Sequence, residues 1–366
     1  MKIAVDCRYL ASSGLGTYLR GCLPYFLASN HTFLLIGQAE KIRPFTEGHN
    51  NYLIVDCSVK PFSIEELFFF PGHVRKAINR SDCYFTPFFN IPPFISVPIY
   101  TTIHDVLFPD VPELVSPPGL AIRMFFYKRA VRLSTKIFTV SYFSKSRIEF
   151  RLGTSNKTLK AVVVTHIALQ PYLLRPPPYP YKKNNSIIFI GNIKKHKGLA
   201  CLLAAFGGLR QEYPPEKGGF PYKLIVIGEQ RSFRTHDAEV NRILSRAGDS
   251  SIEFSGFVDD ERLKELLGSA VLLVQPSLYE GFGLPPLEAM VLGTRALISD
   301  IPVFKEIYSD FPVTFFKAGD AFDLKKKMSS ILADGTGRPF VLPERLALKY
   351  TFEKTSSIIL REITGV

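Results

Sequence analysis

The sequence predicts an α/β protein made of two doubly wound parallel-sheet domains in tandem. Three observations point there. Short apolar runs rich in β-branched and aromatic residues alternate with longer amphipathic stretches. That alternation stops once, at a proline-rich segment, and then resumes. A chain of 366 residues is also long enough for two domains.

In the first half, Ile3–Val5, Phe33–Ile36, Tyr52–Val55, Tyr84–Thr86, Ile99–Ile103, Ile137–Val140 and Val162–Thr165 read as strands bounded by turn residues. Tyr18–Ala28, Leu120–Leu133 and Lys145–Leu152 read as helices between them. Pro176, Pro177, Pro178 and Pro180 then exclude both a helix interior and a central strand, so this stretch reads as a linker. Domains are therefore expected at 1–175 and 176–349. Beyond the linker, Ile187–Ile190, Lys223–Ile227, Ile252–Phe254, Val271–Val274, Arg295–Ser299 and Val313–Phe316 read as strands. Helices are expected over 198–212, 236–247, 260–268, 285–292 and 319–333, with a closing helix at Phe352–Ile363. Ligands of such sheets bind at the carboxyl ends of the strands.

Composition narrows the classes. A hydrophobic fraction of 46% and a mean hydropathy of +0.10 exclude a disordered chain. No apolar run reaches the roughly 18 residues that span a bilayer, and Met1–Asp6 meets an acid too early for a signal-peptide core. The five cysteines are scattered, without a CxxC or a His cluster, which argues against zinc and a disulfide framework. A reducing, cytoplasmic setting fits, at most on the inner face of a membrane.

The net charge is +12 and is uneven. Residues 1–175 carry 20 Lys/Arg against 11 Asp/Glu. An acidic partner is one reading: nucleic acid, a phosphorylated substrate or anionic lipid. Simple solubility is the other. Leu120–Lys136 interleaves Arg123, Lys128, Arg129, Arg132 and Lys136 with Phe125, Phe126 and Tyr127. It reads either as a helix that docks on anionic headgroups or as a core helix with a charged outer face. No nucleic-acid recognition motif accompanies it.

The sharpest motif is Pro276–Met290, PSLYEGFGLPPLEAM. A strand ends near Val274, a loop with Gly281 and Gly283 follows, and two prolines lead into a helix. The glycines permit positive φ and close backbone approach. Amides around Gly283 and Leu284 would face an anion at the helix start. Glu288, one turn further in, could reach the hydroxyls of a ribose. A plain helix start with a capped Glu is the bland alternative, but two carboxylates eight residues apart around the loop are far more specific.

This segment resembles the E-x7-E signature of retaining family 4 glycosyltransferases, with Glu280 and Glu288 as the two acids. Similar features run along the chain: Ser255–Val258, Ser299–Glu306, the Phe189–Leu199 loop, Ser13–Tyr18, Thr102–Asp105, Val140–Lys145 and Tyr350–Glu353. The resemblance implies a GT-B fold, with two Rossmann-like domains facing across a cleft and a helix at about 350–366 crossing back to the first domain. It implies that Glu288 holds the ribose, Glu280 the transferred sugar, and Gly281–Leu284 the sugar and diphosphate. Lys197 would neutralise the diphosphate. Asn192 stands where many relatives carry Arg, so Lys194 is a candidate for the missing charge. The resemblance also places a functional His at His104, able to hydrogen-bond the sugar, while Asp105 would orient it or cap the next turn. Gly14 and Gly16, with Arg20 a turn on, would lie under the diphosphate or border the acceptor.

The resemblance implies that no metal or other cofactor is needed. The donor expected is GDP-mannose, with a UDP-sugar or dTDP-rhamnose as alternatives. The acceptor expected is a saccharide or lipid-linked saccharide of cell-surface polysaccharide synthesis, and an anionic membrane surface would suit the basic half. Nucleic acid is not expected. Two rivals belong to other classes. A Rossmann oxidoreductase needs a third glycine after Gly14 and Gly16 and an acid about 20 residues on, and no acid lies between Asp6 and Glu40. A catalytically dead GT-B surface-binding module would release no nucleoside diphosphate.

Overall fold

The computed structural model describes residues 1–10, 14–153, 161–174, 181–213, 219–228, 251–334 and 340–365. Ser13, the proline run of the expected linker and the helix expected over 236–247 lie outside the described residues. The chain divides into two compact units, Met1–Gln170 with Tyr350–Val366, and Pro171–Lys349.

The first unit is built on seven strands: β1 (Lys2–Asp6), β2 (Thr32–Ile36), β3 (Tyr52–Val55), β4 (Cys83–Thr86), β5 (Ile99–Thr102), β6 (Lys136–Thr139) and β7 (Val162–Val164). Their order is β3-β2-β1-β4-β5-β6-β7, and every pairing is parallel. Central strands covered on both faces need nearly continuous apolar runs, which is what β1, β2 and β4 supply. Ala4, Leu34, Tyr84 and Ile137 pack with Phe126, Ala130 and Ile148 from the covering helices.

Two helices begin earlier than expected because Ser caps them. Ser116 accepts from the Gly119 amide and starts Pro117–Leu133, where two prolines suit the first turn. Ser141 does the same for Tyr142–Leu152. A third correction concerns Gly14 and Gly16. They are not a loop ahead of a helix but the first turn of Gly14–Leu27. The last helix, Phe352–Thr364, is capped by Thr351 and stopped by Gly365 at φ 75°. It packs on Gly14–Leu27, where the Phe352 ring fills the space a Cβ at Gly21 would occupy.

The second unit holds β8 (Ser186–Ile190), β9 (Lys223–Ile227), β10 (Ile252–Gly256), β11 (Leu272–Gln275), β12 (Arg295–Ser299) and β13 (Thr314–Phe316). Their order is β10-β9-β8-β11-β12-β13, again wholly parallel. Ile187, Phe189, Leu224 and Leu272 meet Leu202, Phe206, Leu324 and Met328 of the covering helices. In each sheet the winding direction reverses once, between β1 and β4 and between β8 and β11. These reversals are where open α/β sheets leave a crevice. The β8–β11 register stops at Ile188 and Leu273, two residues short of each strand's end. The strand ends carrying the candidate site therefore part.

Candidate active site

Two loops meet at the β8/β11 reversal. The first leaves β8 through Gly191, Asn192, Ile193 and Lys194, makes a single 3-10 turn at Lys195–Lys197, and leaves it through Gly198 at φ 72°. Gly198 is required twice over: its φ is left-handed, and a Cβ would stand 1.9 Å from the Pro276 carbonyl oxygen. The second loop follows β11. The Leu278 amide donates to the His196 carbonyl at 2.7 Å, which fastens the loops together. Lys197 Nζ then donates to Glu280 Oε1 at 2.7 Å, and Ser277 Oγ donates to the same oxygen at 2.8 Å. Glu280 is thus held in place with one oxygen engaged. Asn192 is exposed, and Lys194 is half-buried with its amide bonded to the Asn192 carbonyl.

Past Glu280, Gly283 turns at φ 83°, and a Cβ there would lie 2.4 Å from the Phe304 ring. Tyr308 OH bonds the Gly283 carbonyl. Gly281 does not adopt a positive φ. The helix Pro285–Val291 also departs from an amide-rich start. Its first two residues are prolines without N–H, and the Leu287 and Glu288 amides already bond the Leu284 carbonyl at 2.9 and 3.1 Å. The amides of Gly283 and Leu284 take no partner among the described residues, so they are the donors open to an anion. Phe282, beside them, is buried.

The Glu288 carboxylate likewise has no hydrogen-bond or ion-pair partner among the described residues. Burial, helped by Asp260, pushes it up to about 7. His196, which sequence reasoning passed over, is buried, and its Nδ1 lacks a hydrogen-bond partner. Burial and the neighbouring Lys197 push it down to about 4, so it adds no charge at neutral pH. Among the described residues no group of three or more His, Cys, Asp or Glu could hold a metal ion.

The other candidates lie in the first unit. His104 follows β5, and its Nε2 bonds the Pro87 carbonyl at 2.9 Å. Its ring stands edge-on to Tyr18 at 4.9 Å. Burial pushes it down to about 4. A neutral ring facing a carbonyl must carry its proton on Nε2, which leaves Nδ1 as an acceptor. Tyr18 belongs to the helix that begins with Gly14 and Gly16. A Cβ at Gly16 would sit 2.6 Å from the Leu10 carbonyl oxygen, so this glycine allows close packing. Arg20 fastens the start of this helix: Nη1 donates to the Leu10 carbonyl at 2.6 Å and Nη2 to Thr17 Oγ1 at 3.3 Å. Asp105 Oδ1 accepts from the Leu107 amide at 2.9 Å, which is the capping role.

At the β1/β4 reversal lies a network that sequence reasoning missed. Arg8 Nη2 meets Asp6 Oδ2 at 2.7 Å and Glu66 Oε1 at 2.8 Å, all three side chains almost fully buried. Tyr84 OH donates to Asp6 at 2.8 Å, and Asn90 Nδ2 bonds Glu66. Asp6 and Arg8 end the first apolar run, which was a visible signal. Glu66 is 58 residues further on, and nothing local announces it.

Comparison with known proteins fits this geometry. Two Rossmann-like units of this kind define the GT-B class, and the solved structure of Anabaena HepE with UDP and glucose superposes with a TM-score of 0.74 at 16% identity, covering 100% of both chains. A sucrose-phosphate synthase from Thermosynechococcus elongatus gives a TM-score of 0.69 at 16% identity. Residues 174–349, which carry the β8/β11 site, match the family described as glycosyl transferases group 1. Among curated proteins, the O-antigen chain mannosyltransferase B of Escherichia coli is 29% identical over 221 residues, 57% of this chain and 55% of that protein. The O-antigen chain mannosyltransferase RfbU of Salmonella typhimurium is 24% identical over 186 residues, covering 51% and 48%. The matches thus span about half the length of these relatives.

Proposed function

We propose that the protein is a retaining glycosyltransferase that moves a hexose, mannose from GDP-mannose, to a hydroxyl of a saccharide or lipid-linked saccharide acceptor in cell-surface polysaccharide synthesis. The observation that carries this reading is the pairing of Glu280 with Lys197 beside a second, unpartnered acid, Glu288, at the β8/β11 reversal. Glu288 accepts from the ribose hydroxyls. Lys197 and the amides of Gly283 and Leu284 meet the diphosphate, with Lys194 and Asn192 bordering it. They stabilise the charge that grows on the leaving phosphate. Glu280 accepts from hydroxyls of the transferred sugar through its second oxygen. His104 Nδ1 is the acceptor that the first unit offers to a sugar hydroxyl. The acceptor hydroxyl attacks the anomeric carbon from the leaving-group side, and the departing phosphate oxygen takes its proton. No protein nucleophile is assigned. The names of the mannosyltransferase relatives support mannose, and the HepE complexes with UDP and UDP-glucose favour a UDP-sugar as second reading.

Calorimetric titration with GDP-mannose, UDP-glucose and dTDP-rhamnose tests the donor. GDP-mannose is expected to bind at least tenfold more tightly, about 1.4 kcal/mol. A preference for UDP-glucose replaces the donor, and no binding by any of the three removes the proposal. NMR of the product anomer tests retention.

A further inference from the structure

The first unit exposes large apolar side chains in one continuous patch. Phe62 and Phe125 both pack against the Phe126 ring, at 5.4 and 5.6 Å between centroids. Two residues past Phe62, the short helix Ile64–Phe68 leaves Ile64, Phe68 and the following Phe69 at 73%, 74% and 72% exposure. On the neighbouring helix, Ile122 and Phe125 are 58% and 60% exposed. Helical spacing continues their stripe into Lys128 and Arg132, both exposed. Between Pro117 and Leu133 there are four basic residues and no acid. Arg129 is engaged by the Ile91 and Pro92 carbonyls, and Arg123 lies over the Phe108 ring. Of the two acids on the short helix, Glu66 is turned inward to Arg8 and Asn90, which leaves Glu65 at the surface.

An apolar face bordered by cations matches one kind of surface, the headgroup layer of an anionic bilayer. We propose that the Phe62–Phe69 segment and the exposed stripe of the Pro117–Leu133 helix together dock the protein on anionic lipid. The aromatics enter the headgroup–acyl boundary while Lys128 and Arg132 meet lipid phosphates. Among the described residues no helix is long and apolar enough to cross a membrane, so attachment would be to the surface. Sequence alone left this helix open between a docking face and a core face. The structure divides it: Phe126, Tyr127, Ala130 and Val131 face inward, and the exposed stripe joins a second segment from another part of the chain.

The test is co-sedimentation with vesicles of phosphatidylglycerol and phosphatidylcholine (about 3:7) against phosphatidylcholine alone, in low and high salt. The full chain is expected to bind the anionic vesicles at least tenfold more strongly, and high salt should weaken that binding. Phe68→Ser/Phe69→Ser should lower partitioning at least tenfold, and Lys128→Glu/Arg132→Glu should erase the preference for anionic lipid. Phe257→Ser, at a residue 82% exposed in the second unit, should change nothing. Calorimetry with GDP-mannose on the same variants should give wild-type affinity, which separates this proposal from the donor assignment. Equal binding by the Phe68/Phe69 variant, or no binding by the wild type, overturns it. So does a wild-type dimer, seen by sedimentation velocity, that the variant converts to monomer, since the occupant would then be a second copy.

Discussion

Glu288 has a ligand-free value near 7 because burial disfavours its charge, and this gives it a readable signature. Ribose hydroxyls donate to a carboxylate and favour its ionised form. Donor binding should therefore release a proton near neutrality, and affinity should rise from pH 6 to pH 8. Titration in buffers of different ionisation enthalpy counts that proton, and Glu288→Ala should lose both the proton and at least tenfold in affinity. Without donor the sign for stability is the reverse. A folded value raised from 4.5 to about 7 makes the folded state bind the proton more tightly. The penalty is absent below about 4.5 and full above about 7, up to about 3 kcal/mol. Glu288→Gln should then raise the melting temperature of the second unit at pH 8 and leave it nearly unchanged at pH 4.5. His104 and His196, both lowered to about 4, act oppositely. Their burial favours the folded state above 6.5, and that contribution is lost as pH falls toward 4.

Among the elements, two glycines carry contrasting predictions. Gly198→Ala would force a left-handed φ on alanine and push Cβ into a backbone carbonyl. It should destabilise the second unit by about 2–5 kcal/mol and weaken donor binding, because Lys197 precedes it. Thermal denaturation and calorimetry check the two effects. Gly21→Ala should cost as much in the first unit, since its Cβ meets the Phe352 ring at 2.2 Å. In a Phe352→Ala background that cost should largely vanish, a coupling a double-mutant cycle measures. The same elements show what was legible. The described strands were all visible, because parallel strands are built from β-branched and aromatic runs bounded by turn residues. Helix starts at Pro117 and Tyr142 were not, because capping by Ser116 and Ser141 extends them past their apolar periodicity. The Glu280–Glu288 loop was readable by its motif. The bonds from the Leu287 and Glu288 amides to the Leu284 carbonyl were not readable, because they depend on where the helix begins. The Asp6–Arg8–Glu66 cluster was hidden because its third member comes from the short helix Ile64–Phe68, beyond two further strands.

At the scale of the molecule, each unit has its own core and its own sheet. A ligand confined to the second should stabilise that unit by mass action, about 2.7 kcal/mol at 100 times Kd. Scanning calorimetry with a saturating nucleotide-sugar should raise the transition belonging to 171–349 and move the other less. Removing the Asp6–Arg8–Glu66 cation with Arg8→Leu should lower only the first unit's transition, by about 3–5 kcal/mol, because two buried acids lose their counter-charge. The return of residues 350–365 to the first unit also bears on biosynthesis. The ribosome makes 171–349 before it makes the helix that covers Gly14–Leu27. The group 1 segment can therefore finish folding while the amino-terminal unit still waits for its cover. A nascent chain arrested near residue 349 should resist protease in the later-made portion and remain open to cleavage in the earlier one.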